Sequence, residues 1–230
     1  MIITIVILIL IIVLAIFSYY KNSSSNEQKK SVTDKVNNTT DTNNTIEDTT
    51  NVEEDKPNNE DIVGKIKING TNIDEYIVQG SDNDYYLNHN LNKEEDIAGA
   101  VFLDYRNNFN DRKLLIFGHN ARTLKTVPFH DLEKYKDESF YNSNKYINLN
   151  LNNEDSKWII FSVMLVKKDD NTHMKLIFSD SGWLQHLTWL KANSLYDTKV
   201  NVEFNDRIVI IQTCNYNPDD EYLLVSAKKI

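Results

Sequence analysis

From about residue 61 the chain is a succession of short apolar runs set between polar turns, and this pattern leaves few folds open. KIKI, in which Ile66 and Ile68 alternate with lysines, passes through the Asn-Gly of NGTN into IDEYIVQG, a strand–turn–strand signature. IAGAVFLDY, KLLIFGHN, KYINLNL, KWIIFSVMLVKK, DRIVIIQTC and YLLVSAKKI follow, all rich in β-branched and aromatic residues. About eight strands with short connections predict a mainly β body, closed or nearly closed into a barrel. One segment departs from this. In SDSGWLQHLTWLKANS, Trp183, Leu184, Leu187 and Leu190 recur at helical spacing, with Ser and Asp placed to cap the start. DNDYYLNHN and FHDLEKYKDESFY read as short peripheral helices or turns.

The N-terminal part has another character. Residues 1–20 contain no charged side chain, and at about 1.5 Å per residue a helix of that length covers roughly 30 Å, the thickness of a bilayer's hydrocarbon core. Tyr19 and Tyr20 suit the interface and Lys21 ends the run. A cleaved signal peptide is the rival reading, but the run exceeds a usual signal core and no A-x-A-like site follows. The expectation is an uncleaved membrane anchor. Residues 21–60, built from Asn, Ser, Thr, Asp, Glu and Lys, have too little apolar surface to offset the entropy of ordering and read as a disordered linker. Residues 61–230 are left as the folded domain. Lys21, Lys29 and Lys30 follow the apolar run and no cation precedes it, so charge taken alone favours a cytoplasmic domain.

A formal net charge of −9, with no basic stripe, argues against a nucleic-acid partner. Cys214 is the sole cysteine, which excludes an intrachain disulfide and a cysteine-based zinc site. A lone cysteine is usually a small buried hydrophobe. Cys214, however, closes the apolar run RIVIIQTC just before a polar turn, and His119 stands in the same way at the end of LLIFGHN. Two strand ends on one barrel rim can bring a thiol and an imidazole together, as nucleophilic catalysis requires. Spacing alone leaves the structural reading of each residue open.

VGKIKINGTNIDEYIVQG, DNDYYLNHN, AVFLDYRN, IFGHN and I-x-x-T-C together resemble the sortases, the class B sortases in particular. The resemblance runs from about Val63 to the C-terminus and includes the helix GWLQHLTWLKANSLYDT, similar to the class B insertion. His119 precedes Cys214 by 95 residues, the reverse of the papain-like order. The resemblance implies a membrane-anchored cysteine transpeptidase whose domain lies outside the cell, against the charge rule. Cys214 would attack the Thr carbonyl of an NPxT-type motif near the C-terminus of a surface protein, forming a thioacyl enzyme. His119 would protonate the leaving amine and deprotonate the incoming one, a peptidoglycan amine. No cofactor and no metal are implied, and the acidic DDE of residues 219–221 reads as a solvated loop. The lack of a C-terminal hydrophobic segment argues against the pilus-polymerising class.

The pattern breaks at the arginine that sortases carry on the last strand. Matching LLVSAK to that strand places Tyr222 there, and no arginine follows Arg207. Arg207 lies seven positions before Cys214, on the opposite face and roughly 23 Å away. Arg122, in a rim loop, is reachable, and the Tyr222 phenol is itself a legitimate oxyanion donor. Gln212 shares the face of Cys214 and is expected to line the substrate groove or to be a tolerated rim residue. Asn120 either makes the turn after His119 or orients it, at the edge of the substrate site. Asp104, Tyr105 and Arg106 fit either a strand end near the site or structural hydrogen bonds, and His130 and His186 read as surface or helix residues. Two rival functions stay open: a thiol peptidase that uses water as acceptor, and a catalytically silent domain that binds sorting motifs.

Overall fold

The structure is a computed structural model and describes residues 57–121, 123–216 and 220–230. The expected anchor, most of the linker and Arg122 lie outside the described residues. Among the described residues no helix is long and apolar enough to cross a membrane.

Eight strands form a closed barrel: β1 (Ile62–Ile68), β2 (Asp74–Val78), β3 (Val101–Leu103), β4 (Lys113–Phe117), β5 (Tyr146–Leu151), β6 (Glu154–Lys167), β7 (Ile208–Asn215) and β8 (Glu221–Lys229). Their order around the barrel is β1-β2-β3-β4-β7-β8-β6-β5. All eight runs expected as strands are strands. Two neighbouring pairs, β2–β3 and β4–β7, are parallel and the rest antiparallel. The short segments resolve into 3-10 turns at Tyr85–Leu87, His130–Lys136 and Thr172–Met174, with α1 at Glu138–Ser143 and α2 at Asp180–Ala192.

One buried cluster takes residues from every strand, among them Ile66, Ile77, Leu103, Ile116, Leu149, Ile160, Val209 and Val225, and fills the barrel. A second lies outside the barrel wall, where Trp183, Leu187 and Leu190 of α2 cover Leu115, Phe161, Met164, Ile208, Ile210 and Leu224. β7 is therefore covered on both faces, which is why its sequence reads as an unbroken apolar run. Ile208, Val209, Ile210 and Ile211 are all fully buried. At roughly 1.5–3 kcal/mol for each such side chain, β7 is a firmly held base for the residues that follow it.

Ser179 caps α2 by accepting a hydrogen bond from the Gly182 N–H. Leu184 is a correction to the expected apolar face: it is 48% exposed, because the burying stripe runs through Trp183, Leu187 and Leu190. A bulge between Ile160 and Ser162 reverses the inward and outward parity of β6. The polar groups there are taken up by the end of α2, with Ser162 Oγ donating to the Leu190 carbonyl and the Leu195 N–H to the Val163 carbonyl.

Asn59, inside the stretch expected as linker, is buried and donates to the Leu91 carbonyl and the Tyr86 hydroxyl. The barrel closes where β1 meets β5. There a Cβ on Gly64 would lie 1.9 Å from the Asn150 carbonyl oxygen, so only glycine lets the two backbones meet. Gly64→Ala is expected to lower stability by roughly 1–3 kcal/mol through overpacking. Urea denaturation checks this, and an unchanged midpoint contradicts it.

Candidate active site

The site is set by strand register. β4 and β7 run parallel with Phe117 level with Gln212, so His119 and Cys214, each two residues further on, leave the barrel at the same height on the same rim. Three contacts hold the two ends together. Thr213 Oγ1 donates to the Gly118 carbonyl (2.8 Å), the Gly118 N–H to the Gln212 carbonyl (3.3 Å), and Asn120 Nδ2 to the Cys214 carbonyl (3.1 Å). Gly118 is required where it stands, since a Cβ there would lie 2.6 Å from the Phe129 ring.

His119 Nε2 lies 2.6 Å from the Leu87 carbonyl oxygen. A carbonyl only accepts, so Nε2 carries a proton and Nδ1 is the nitrogen left to exchange one. Gly99, at φ +59°, makes room for this arrangement: a Cβ there would lie 2.6 Å from the Tyr86 carbonyl oxygen and 3.1 Å from His119 Cδ2. Cys214 is half-buried and has no disulfide partner. Directly across the β7–β8 ladder from it stands Tyr222. The structure thus brings Cys214, Tyr222 and the His119 strand end to one rim. Arg122 falls outside the described residues.

Asn120 is 2% exposed, and its carboxamide is fully engaged. Besides the Cys214 carbonyl it donates to Glu133 Oε1 (3.0 Å), and its Oδ1 lies 3.1 Å from His130 Nδ1. It therefore ties the His119 loop to the backbone of the cysteine. Gln212 is also engaged, with Oε1 2.7 Å from Nε2 of the buried His173, a residue with no motif to mark it in the sequence. Arg207 is committed to the Asp111 and Phe109 carbonyls, in keeping with its dismissal as a substitute arginine. Asp104 is buried and paired in bidentate fashion with Arg106, at 2.8 and 2.6 Å. Burial pushes its carboxyl up, but the Arg106 and Asn83 hydrogen bonds outweigh this and hold it below the ordinary range. Arg106 also donates to the Met174 carbonyl, so this knot supports the turn that carries His173.

Beneath that turn lies a second residue the sequence did not announce. Lys113 is 2% exposed. Its ammonium donates to the carbonyls of His173 (2.5 Å) and Lys175 (2.8 Å) and to His186 Nε2 (3.0 Å). Burial, reinforced by the Arg106 charge, pulls its pKa down to about 7. Burial and the Lys113 charge pull His186 down to about 3, so it stays a neutral acceptor. His186 is a helix residue as expected, but a buried one rather than a surface one, because it caps this ammonium. His173 is likewise lowered by burial, against the hydrogen bond to Gln212.

Asn120→Ala is expected to cost about 1–3 kcal/mol, since it strips the Cys214 carbonyl and Glu133 of a buried donor; urea unfolding measures it, and a change below about 0.5 kcal/mol contradicts it. For Lys113 the folded pKa lies below the unfolded value of 10.5, so between these values the unfolded chain binds more protons and stability rises with pH. From pH 7 to 9 the wild type should gain about 1 kcal/mol per pH unit relative to Lys113→Met. A stability difference that stays flat from pH 6 to 9 contradicts this.

No family model matches the chain. Two relatives do. Sortase B of Listeria monocytogenes is 34% identical over 165 residues, which are 71% of this chain and 66% of that protein. Sortase B of Staphylococcus aureus is 31% identical over 176 residues, 75% of this chain and 71% of that protein. Among solved structures, Clostridium perfringens sortase B superposes with a TM-score of 0.70 at 38% identity, covering 74% of this chain and 94% of that one. A Staphylococcus aureus sortase B–substrate complex gives 0.69 at 31% identity over 75% and 81%. A sortase B complexed with triglycine gives 0.69 at 30% over 75% and 81%. Similarity at this level over most of the described domain, together with the closed eight-stranded barrel and the His and Cys strand ends, means that the chain belongs to the class B sortases, a family of cysteine transpeptidases.

Proposed function

We propose that the chain is a cell-surface transpeptidase that cleaves an NPxT-type sorting motif through a thioacyl intermediate on Cys214 and passes the protein to an amine of the cell wall. The observation that carries this reading is the β4–β7 register, which delivers His119 and Cys214 to one rim with Tyr222 opposite the thiol. The substrate and triglycine complexes of related sortases support a sorting-motif donor and a glycine-bearing acceptor.

The Cys214 proton passes to His119 Nδ1, and the thiolate adds to the Thr carbonyl, forming the C–S bond and an oxyanion. Collapse breaks the C–N bond, and the leaving amine takes the proton back from His119. An acceptor amine then attacks the thioester, gives its proton to His119 and expels the thiolate. The Leu87 carbonyl holds Nε2, which leaves Nδ1 for this exchange. The Tyr222 hydroxyl and backbone N–H groups near Cys214 are the donors this reading assigns to the oxyanion. A neutral phenol stabilises such a charge less than a guanidinium does, so turnover is expected to be slow. The N-terminal 20 residues would anchor the enzyme where its substrates emerge from the membrane.

The absence of an arginine from β8 favours one second reading, a silent domain that binds sorting motifs without turning them over. Kinetics of the detergent-solubilised full chain with an NPxT peptide and triglycine separate the two. Transfer product is expected from the wild type, none from Cys214→Ala, and about 10²- to 10⁴-fold less from His119→Ala. Cleavage that ignores triglycine would make it a peptidase. Peptide binding with no product would make it the silent domain.

A further inference from the structure

We infer that Lys168 supplies the positive charge at the Cys214 rim that no arginine of β8 provides. This rests on the reading of Cys214 as the nucleophile.

Val166 on β6, Tyr222 on β8 and Cys214 on β7 form one row across three adjacent strands. Lys168 lies two residues beyond Val166, past the β6 bulge, and so shares the face of that row. Its backbone N–H donates to the Asp220 carbonyl at 3.0 Å, which keeps it in register with β8 beyond the end of β6. Its Nζ lies 5.7 Å from the centre of the Tyr222 ring. The side chain thus leans over the residue that faces the thiol.

The charge lies within coulombic reach of Asp220 but is tied to it by no direct contact. The neighbouring Lys167, on the opposite face, holds Asp220 at 2.5 Å. Lys168 makes no side-chain hydrogen bond and no ion pair among the described residues. Three other described cations near this end are spent: Arg106 on Asp104, Lys113 on two carbonyls and His186, Lys136 on Glu133 and Asn215. Among the described residues the charged and titratable groups around Lys168 are Asp220 held by Lys167, Glu221 across the ladder from Lys167, Asp169 and Asp170 of its own loop with Asp170 accepting from the Thr172 N–H, the neutral His173 against Tyr222, and Cys214. An ammonium on a flexible four-carbon stem can move from the ring face to a carbonyl oxygen as that oxygen gains charge on thiolate attack. Lys168 sits in none of the sequence motifs, which is why only arginines and Tyr222 stood out as replacements before the register was known.

The test uses the full chain in detergent. Lys168→Met keeps an unbranched stem over Tyr222 and removes the charge, while Lys168→Arg keeps the charge. The first readout needs no substrate: the pH dependence of Cys214 alkylation by iodoacetamide. A lost cation disfavours the thiolate, so Lys168→Met should move the midpoint of the profile up by about half a pH unit or more, with Lys168→Arg matching the wild type. The second is single-turnover acylation by an NPxT peptide, expected to fall roughly 10- to 100-fold in Lys168→Met at unchanged peptide affinity and to recover when Tyr222→Arg is added. Both variants should melt with the wild type, since Lys168 is exposed. A Lys168→Met alkylation profile that overlays the wild type overturns the proposal, as does a Lys168→Arg profile shifted as far as that of Lys168→Met. If no peptide acylates the wild type, the proposed function fails and the alkylation profiles still decide the role of Lys168.

Discussion

The parallel pairing of β4 with β7 is the constraint on which the rest of the site depends. These strands are far apart in sequence, and nothing local brings their ends together. Their five-residue register does so, with Lys113 level with Ile208 and Phe117 level with Gln212. Parallel strands point the same way, so residues that overrun both by the same number emerge side by side. His119 and Cys214 are those residues. Thr213, Gly118 and Asn120 then lock the two overruns to each other through backbone carbonyls, which fixes the strand ends and leaves the thiol and imidazole side chains out of the locking bonds.

Below the rim the outer wall of the barrel carries a polar column within an apolar layer. Lys113 starts it, His186 and the carbonyls of His173 and Lys175 accept its hydrogen bonds, and His173 in turn meets Gln212. A buried ammonium is costly unless every proton has an acceptor, and here three acceptors are in place. Such a group weighs against stability, but it fixes the 170–176 turn against β4 and α2 at one position. That turn sets the His173 ring against Tyr222, and Tyr222 faces the thiol. The polar column therefore determines the wall of the site next to Cys214, while the hydrogen bonds of Asn120 determine the other.

The strands were legible because both signals for them are local: β-branched composition and turn residues between runs. The helix α2 was legible from its cap at Ser179 and the spacing of Trp183, Leu187 and Leu190. The thiol and imidazole were legible as strand ends, and a family resemblance was needed to join them, since pairing across 95 residues leaves no trace in spacing. What stayed hidden depends on tertiary packing. Lys113 looks like a solvent-facing strand start until α2 is known to cover that side. The β6 bulge reverses parity midway through a run that reads as continuous. His173 lies in polar sequence with no periodicity and Lys168 only ends a strand run; the 170–176 turn sets the first beside Tyr222, and the register of β6 against β8 the second.

If the rim formed by these two strand ends is a working nucleophile and proton carrier, the thiol must take up an acyl group. Intact-mass measurement of the full chain after incubation with a sorting-motif peptide and no amine tests this most directly. The expected result is an adduct equal to the acyl fragment, mapped to Cys214, that disappears on addition of triglycine as the transfer product forms. A folded, reduced chain that binds the peptide and never gains mass would contradict it.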